Sequence, residues 1–229
     1  IQENACNYNE TATLDDGSCL DICGLASLFF SEYASTYNYS AYVEIYNPTL
    51  STVYLDNYAI AQTVNAAYGC YESWFEFPSG AAIAPGDTYV LLDNGSNYIS
   101  YDWYNTSMSF TGDDGIALVY GGVSQGNNYN ECGQFVNPLY TDYTVLDRIG
   151  DFDGDPGSGW SVAGTSNATY YNTLIRKCEI AEGNPDWDLS AGTTIANSEW
   201  EVSSYSNYSG ANSHTVCYNV AGCTDETMW

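Results

Sequence analysis

An all-β sandwich is the fold this sequence predicts, and three features carry that reading. Tyr42–Tyr46 alternates, with Val43 and Ile45 directed to one side and Tyr42, Glu44 and Tyr46 to the other. A period of two marks a strand with one face buried. Further runs of this kind recur along the chain between Gly, Pro, Asn and Asp turns, and none has the 3.6-residue period of a helix. With 229 residues the chain is long enough to bury most of its unfolded surface in one large sandwich or two small domains.

The opening strands are Leu28–Phe30 and Tyr42–Tyr46, on either side of a polar, hairpin-like stretch. Val53–Thr63 and Trp74–Phe77 follow as strand-like runs. Ala84-Pro85-Gly86-Asp87 supplies turn chemistry before Thr88–Asp93. Ser107–Phe110 and Gly115–Tyr120 are expected to pair across a hairpin signalled by Asp113-Asp114-Gly115. Thr144–Phe152, Thr173–Ile180 and Glu199–Val202 complete the set. In a sandwich the two sheets cover each other's apolar faces. The expected core is Phe30, Val43, Ile45, Leu55, Ile60, Phe77, Val90, Leu92, Phe110, Ile116, Leu118, Ile149, Leu174 and Val202.

The segments FFSEY, VEIYNPT, STVYLDNYAI and FEFPSGAAIAPGDTYVLL resemble the opening of bacterial lamin-tail domains. SFTGDDGIALVY, VLDRIGDFDGDPGSGW, TLIRKCEIAEGN, and EWEV with SNYSGANSHT, continue the likeness, which spans residues 25–214. The resemblance implies an immunoglobulin-like β-sandwich. It says less about the task, because function lives in sites rather than in folds. This chain departs from the family by insertions around Tyr68–Tyr71 and Gly121–Asn137, each with one cysteine. Cys70 and Cys132, which belong to no terminal motif, are therefore expected to be bridged. The other six cysteines leave fifteen pairings open.

The two ends differ from the body. Residues 1–24 contain ACNYNETATLDDGSC, which looks like most of one of the small Cys-bounded repeats, GCTD then NYN then DDGSC, of large secreted bacterial proteins. The missing GC appears at the other end, where residues 215–229 finish in GCTDETMW. Set tail to head, the two ends supply the parts of one unit. Cys223 would then face Cys19, with Met228 or Trp229 as the apolar anchor. Trimming of a longer tandem array at arbitrary points accounts for the same pattern.

Charge narrows the choice of partners. The chain has 29 acidic residues against 3 basic ones, a formal charge of −26. Such a surface repels phosphate backbones and anionic lipid, so nucleic-acid and membrane-surface binding are disfavoured. No apolar run is long enough to span a bilayer, so membrane insertion is not expected. Eight cysteines in so acidic a chain suggest disulfides and an oxidising compartment. Zinc is the competing use, but no CxxC pair is present and His214 has no histidine partner. Because the chain starts at Ile1 with neither Met nor a signal peptide, it reads as a mature or excised piece of a secreted, extracellular or cell-surface protein.

Several constellations could carry chemistry. Asp151, Asp153 and Asp155 alternate on a Gly-bearing loop and could converge oxygen ligands on Ca²⁺. The loop lacks the terminal Glu and flanking helices of an EF-hand, and a solvated turn is the plainer reading. Asp15 and Asp16 could join Asp225 in a second Ca²⁺ set if the two ends meet. Asp113-Asp114 reads as hairpin chemistry alone. Arg148, Arg176 and Lys177 are expected to pair structurally with carboxylates. Loop aromatics (Tyr98, Tyr101, Trp103 and Tyr104; Tyr170 and Tyr171) could form a platform for surface glycans or a protein contact. His214 beside Ser213 lacks an orienting acid and reads as a solvated residue, so no catalytic site is expected. The leading expectation is thus a non-enzymatic structural module of an extracellular filament or surface assembly. Its partners would be copies of itself, in a head-to-tail polymer or a tandem array. The alternative is a carbohydrate- or surface-binding module of a secreted multidomain protein.

Overall fold

A computed structural model describes residues 28–35, 41–94, 99–204 and 207–217. In chain order the first strands are β1 (Phe29–Ala34), β2 (Ala41–Tyr46), β3 (Val53–Tyr54), β4 (Tyr58–Thr63), β5 (Ser73–Glu76), β6 (Ala82–Ile83) and β7 (Thr88–Asn94). Then come β8 (Trp103–Tyr104), β9 (Gly115–Ser124), β10 (Asn128–Tyr129), β11 (Phe135–Val136) and β12 (Tyr140–Ile149). A short helix α1 (Trp187–Ala191) lies between β13 (Asn172–Arg176) and β14 (Trp200–Ser204). Two sheets dominate this immunoglobulin-like, all-β fold. One has six strands in the order β14-β13-β1-β2-β7-β8, and the other has four in the order β12-β9-β4-β5.

The inner faces meet as expected. Phe30, Val43, Ile45, Leu55, Ile60, Phe77, Phe110, Ile116, Leu118, Ile149 and Leu174 share one core, with Val202 partly buried against it. Removing that much apolar surface from water is the main force joining the sheets. Val90 and Leu92 are a correction. They are buried, but on the opposite face of β7, with Ala34 and Tyr42. Tyr89 and Leu91 take the inner positions. Every residue of β7 from Tyr89 to Leu92 is buried, so alternation no longer marks a face.

Local chemistry explains most boundaries. Pro85 pre-sets the turn, Gly86 supplies φ +72°, and Asp87 N–H donates to the Ala84 carbonyl, which launches β7. The expected long strand Val53–Thr63 is instead interrupted by a 3-10 turn at Leu55–Asn57. Leu55 drops into the core there, and its N–H bonds the Ala81 carbonyl. Ser107–Phe110 is not a strand, so no hairpin forms across Asp113-Asp114. Gln62 substitutes for the missing partner strand: its amide oxygen accepts from Ser109 N–H and its amide nitrogen donates to the Ser109 carbonyl. The α1 helix was not expected. Asp186 caps it by accepting from Leu189 N–H, and Trp187 and Ala191 anchor it in the core.

Two bulges reset the faces. Between β1 and β2, Phe30 pairs with Ile45 and Glu32 with Glu44, which leaves Ser31 as the extra residue. Phe30 and Tyr33 therefore both face the core, although they are three apart. In β12 the same device at Leu146 turns Asp147 between the two sheets.

Each outer face is covered in part. On the four-stranded sheet Ala59, Ala61, Ala117 and Val119 are covered by Tyr71 and Val136 from the two insertions, Leu139 just before β12 and Phe152 from the loop after it. On the six-stranded sheet Tyr208 and Ala211, in the strap of residues 207–217, lie against Ala34, Tyr42, Val90 and Leu92. The expectation that β2 is buried on one face only is corrected accordingly: all six of its residues are buried.

Candidate functional site

The acidic loop after β12 was the first metal candidate, and its carboxylates turn back onto the protein. Asp151 Oδ1 accepts from Arg148 Nη1 at 2.8 Å and from Phe152 N–H at 2.7 Å. Asp153 Oδ1 accepts from Gly154 N–H at 2.9 Å and Asp155 Oδ1 from Gly157 N–H at 2.8 Å. Each acid thus closes its own short turn, and the three do not form a convergent ligand set in this arrangement. Among the described residues, the one group of three metal-capable atoms within 4.8 Å is Cys178, Glu179 and Cys217, whose two sulfurs are already bonded to each other. The loop instead seats Phe152. Arg148 lies over its ring at 4.6 Å, and the Phe152 carbonyl accepts from Gly69 N–H at 2.8 Å. Gly115 permits this approach, since a Cβ there would run into the Asp151 carbonyl.

Asp15, Asp16, Asp225, Cys19, Cys223, Met228 and Trp229 lie outside the described residues, as does Tyr98. Cys70 and Cys132 are joined in a disulfide that ties the two insertions, with Cα atoms 6.0 Å apart. A second disulfide, Cys178–Cys217, ties the strap to the end of β13. Two such bonds fit folding in an oxidising compartment. Among the described residues no helix is long and apolar enough to cross a membrane.

Arg148 and Arg176 pair with carboxylates as expected, whereas Lys177 is a correction, its Nζ donating to the Ile195 carbonyl. What the sequence reading missed is that the Arg176 centre is buried between the sheets. Arg176 is buried, with Nη2 paired to Asp147, Nη1 at 2.6 Å from Glu199 and 2.9 Å from Ser190 Oγ, and Nε at 3.1 Å from the Phe30 carbonyl. Its guanidinium also lies over the Trp200 ring at 4.1 Å. Asp147 accepts from Phe30 N–H and Asn184 N–H as well. Burial pushes the Asp147 carboxyl up, and the Arg176 charge opposes that shift. The pair bridges the two sheets, because Asp147 belongs to β12 and Arg176 to β13. A signal was present: Leu174 and Arg176 are two apart and share a strand face, so an inward Leu implies an inward Arg.

Asp114 exceeds the hairpin role expected of it. Its Oδ2 accepts from Ser109 Oγ, Thr111 N–H and Thr111 Oγ1, and its Oδ1 from Asn65 N–H. One buried carboxylate so pins two loops, the one before β9 and the one after β4. Nearby, burial raises Asp93 to about 6, against the Phe110 N–H bond it accepts. The arrangement holds loops together.

The loop aromatics do not make one platform. Trp103 turns inward against Phe77 at 5.4 Å, while Tyr101 and Tyr104 stay outside, 5.9 Å apart. Tyr170 and Tyr171 form a separate pair. Outside the aromatics singled out from sequence, Tyr129 and Phe135 stand out on the β10–β11 hairpin at 66% and 56% exposure. His214 is also corrected. It is half-buried on the strap, 4.9 Å from the Tyr46 ring and 5.6 Å from Phe29, and burial pushes it down to about 4.

Residues 25–135 match the family model of the Lamin Tail Domain. No curated protein and no solved structure matches the chain. The matched stretch is shorter than the likeness read from the sequence. The sandwich continues past it, since β13 lies beside β1 in the six-stranded sheet and β12 pairs with β9 in the other.

Proposed function

We propose that this chain is a non-catalytic structural module of an extracellular bacterial filament or surface assembly, joined to further copies of itself head to tail through its terminal segments. The supporting observation is that both outer faces of the sandwich carry a cover and that each cover is fastened by a disulfide. A body closed in this way resists local opening and is suited to bearing load, while the joining falls to the ends. There GCTDETMW and IQENACNYNETATLDDGSC supply complementary parts of one Cys-bounded unit. Donor and acceptor surfaces differ, so the contact is heterologous and repeats into an open filament unless its rotation closes a ring. Ca²⁺ bound by end-segment carboxylates, Asp15, Asp16 and Asp225 among them, would offset part of the −26 charge.

Gel mobility of the native material, with electron microscopy, tests the reading. A ladder that reduction collapses supports a Cys19–Cys223 link between copies. A very large species that survives reduction favours a tandem chain, and a monomer-sized band under both conditions defeats the link. A second reading, a carbohydrate-binding module, is favoured by the exposed Tyr129–Phe135 pair. It requires a monomer that is retarded on a polysaccharide column.

A further inference from the structure

The strap of residues 207–217 covers an unusual pair. Glu32 and Glu44 stand directly opposite one another across β1 and β2, and each is at most 1% exposed. Like charges in that position repel, and a buried carboxylate without a cation is strongly disfavoured. All three basic residues are engaged elsewhere: Arg148 with Asp151, Arg176 with Asp147 and Glu199, and Lys177 with the Ile195 carbonyl. The groups facing the pair are neutral donors. Tyr42 hydroxyl donates to Glu32 Oε1 at 2.5 Å, and Ser31 Oγ donates to Glu44 Oε1 at 2.7 Å. From the strap, Asn212 N–H donates to Glu44 Oε2 at 2.6 Å, and Gly210 lies so close to Glu32 that a Cβ would collide with its carboxylate. Tyr208 leans on Tyr42, and His214 sits further along against Phe29 and Tyr46. The strap is held at one end by Asn207 N–H on the Ser204 carbonyl and at the other by the Cys178–Cys217 bond.

We infer that residues 207–217 form a latch over the Glu32–Glu44 pair, one that takes up protons as it shuts and is kept in place by the Cys178–Cys217 disulfide. The inference is independent of whether copies of the chain assemble. When the strap is down, burial raises Glu32 to about 7 and Glu44 to about 8, and their repulsion adds to the second shift. When it lifts, both return toward the ordinary 4.5. Raised carboxylates stabilise closure fully below 4.5 and lose that contribution as pH climbs through 7 and 8. His214 has the opposite sign. Burial, helped by the Arg176 charge, lowers it to about 4, so its contribution is present above 6.5 and is lost as pH falls. Closure therefore binds about one net proton between pH 4.5 and 6.5, about two just above 6.5, and none well above 8. The latch is tightest near pH 4.5 and loosens toward alkaline pH.

Hydrogen exchange by mass spectrometry on the full oxidised chain, corrected for intrinsic exchange rates, tests this. From pH of about 5 to about 8 the protection of 207–217 is expected to fall, by up to about tenfold per unit at first and more steeply near neutrality. Amides of β4 and β9 serve as an internal reference. In the Glu32→Gln, Glu44→Gln double variant, which removes the charge and keeps one acceptor oxygen on each side chain, strap protection is expected to stay high at pH of about 8. Its only remaining loss is the one caused by His214 on acidification. Cys178→Ser, Cys217→Ser is expected to lower strap protection at every pH while keeping the profile. A wild-type strap insensitive to pH, or a double Gln variant with the wild-type profile, overturns the latch. Unchanged protection in the double Ser variant removes the disulfide from it. If a Gln variant fails to fold, carboxyl ¹³C titration of the wild type decides: midpoints near 4.5 for both glutamates overturn the inference, and raised midpoints support it.

Discussion

Over the four-stranded sheet the cover is Tyr71, Val136, Leu139 and Phe152 resting on Ala59, Ala61, Ala117 and Val119. Over the six-stranded sheet, Tyr208 and Ala211 rest on Ala34, Tyr42, Val90 and Leu92, with Glu32 and Glu44 enclosed beneath the same strap. Each cover is fastened by a disulfide, with a sequence separation of 62 for Cys70–Cys132 and 39 for Cys178–Cys217. Chain entropy values the two closures almost equally, at about 4 kcal/mol apiece as upper figures. The fasteners therefore do not distinguish the faces. What differs is the enclosed chemistry, apolar on one side and titratable on the other. A cover made of Tyr, Val, Leu and Phe owes its stability to area removed from water, which does not change with pH between 5 and 8. A cover over two carboxylates does depend on it.

The largest way to break the symmetry is Arg176→Ala. It leaves Asp147 buried without its cation and is expected to cost about 3–5 kcal/mol in urea denaturation. The strap side should suffer more, since Arg176 also lies 5.6 Å from the Phe29 ring on which His214 packs. Exchange that loosens 59–61 and 207–217 equally would contradict that polarity. Next come the fasteners taken singly. Replacing either cystine by two serines is expected to lower stability by about 2–4 kcal/mol, and only loss of Cys178–Cys217 should lower the exchange protection of 207–217.

Gly210→Ala is smaller. The new methyl meets the Glu32 carboxylate, which is held by Tyr42, and a cost of about 1 kcal/mol is expected by chemical denaturation. An unchanged midpoint would mean that Glu32 can swing away freely. Smallest is the effect of cations on the described body. Millimolar Ca²⁺ and Mg²⁺ should raise the melting temperature alike at matched ionic strength, because Asp151, Asp153 and Asp155 are each committed to local N–H groups. A Ca²⁺-specific rise would direct attention to the terminal carboxylates Asp15, Asp16 and Asp225.

Much of the fold was legible because its determinants are local. Alternation at Val43 and Ile45, the Pro85-Gly86 turn and the spacing of the apolar runs all act over a few residues, and they suffice for an all-β sandwich and most of its core. The Cys70–Cys132 pairing was legible too, since two insertions into one fold carried one cysteine each. Legibility failed where a residue's environment comes from distant chain. Val90 and Leu92 look like core residues and are buried, but a strap more than a hundred residues later does part of the burying, so their face could not be read from β7 alone. Glu32, Glu44 and His214 have the composition of a solvated surface for the same reason. Arg176 and Asp147 meet only because a bulge in β12 turns one acid inward. Backbone conformation follows from short-range sterics and hydrogen bonding, which the sequence by itself determines. The protonation of a carboxylate depends on what excludes water around it, and only the tertiary structure decides that.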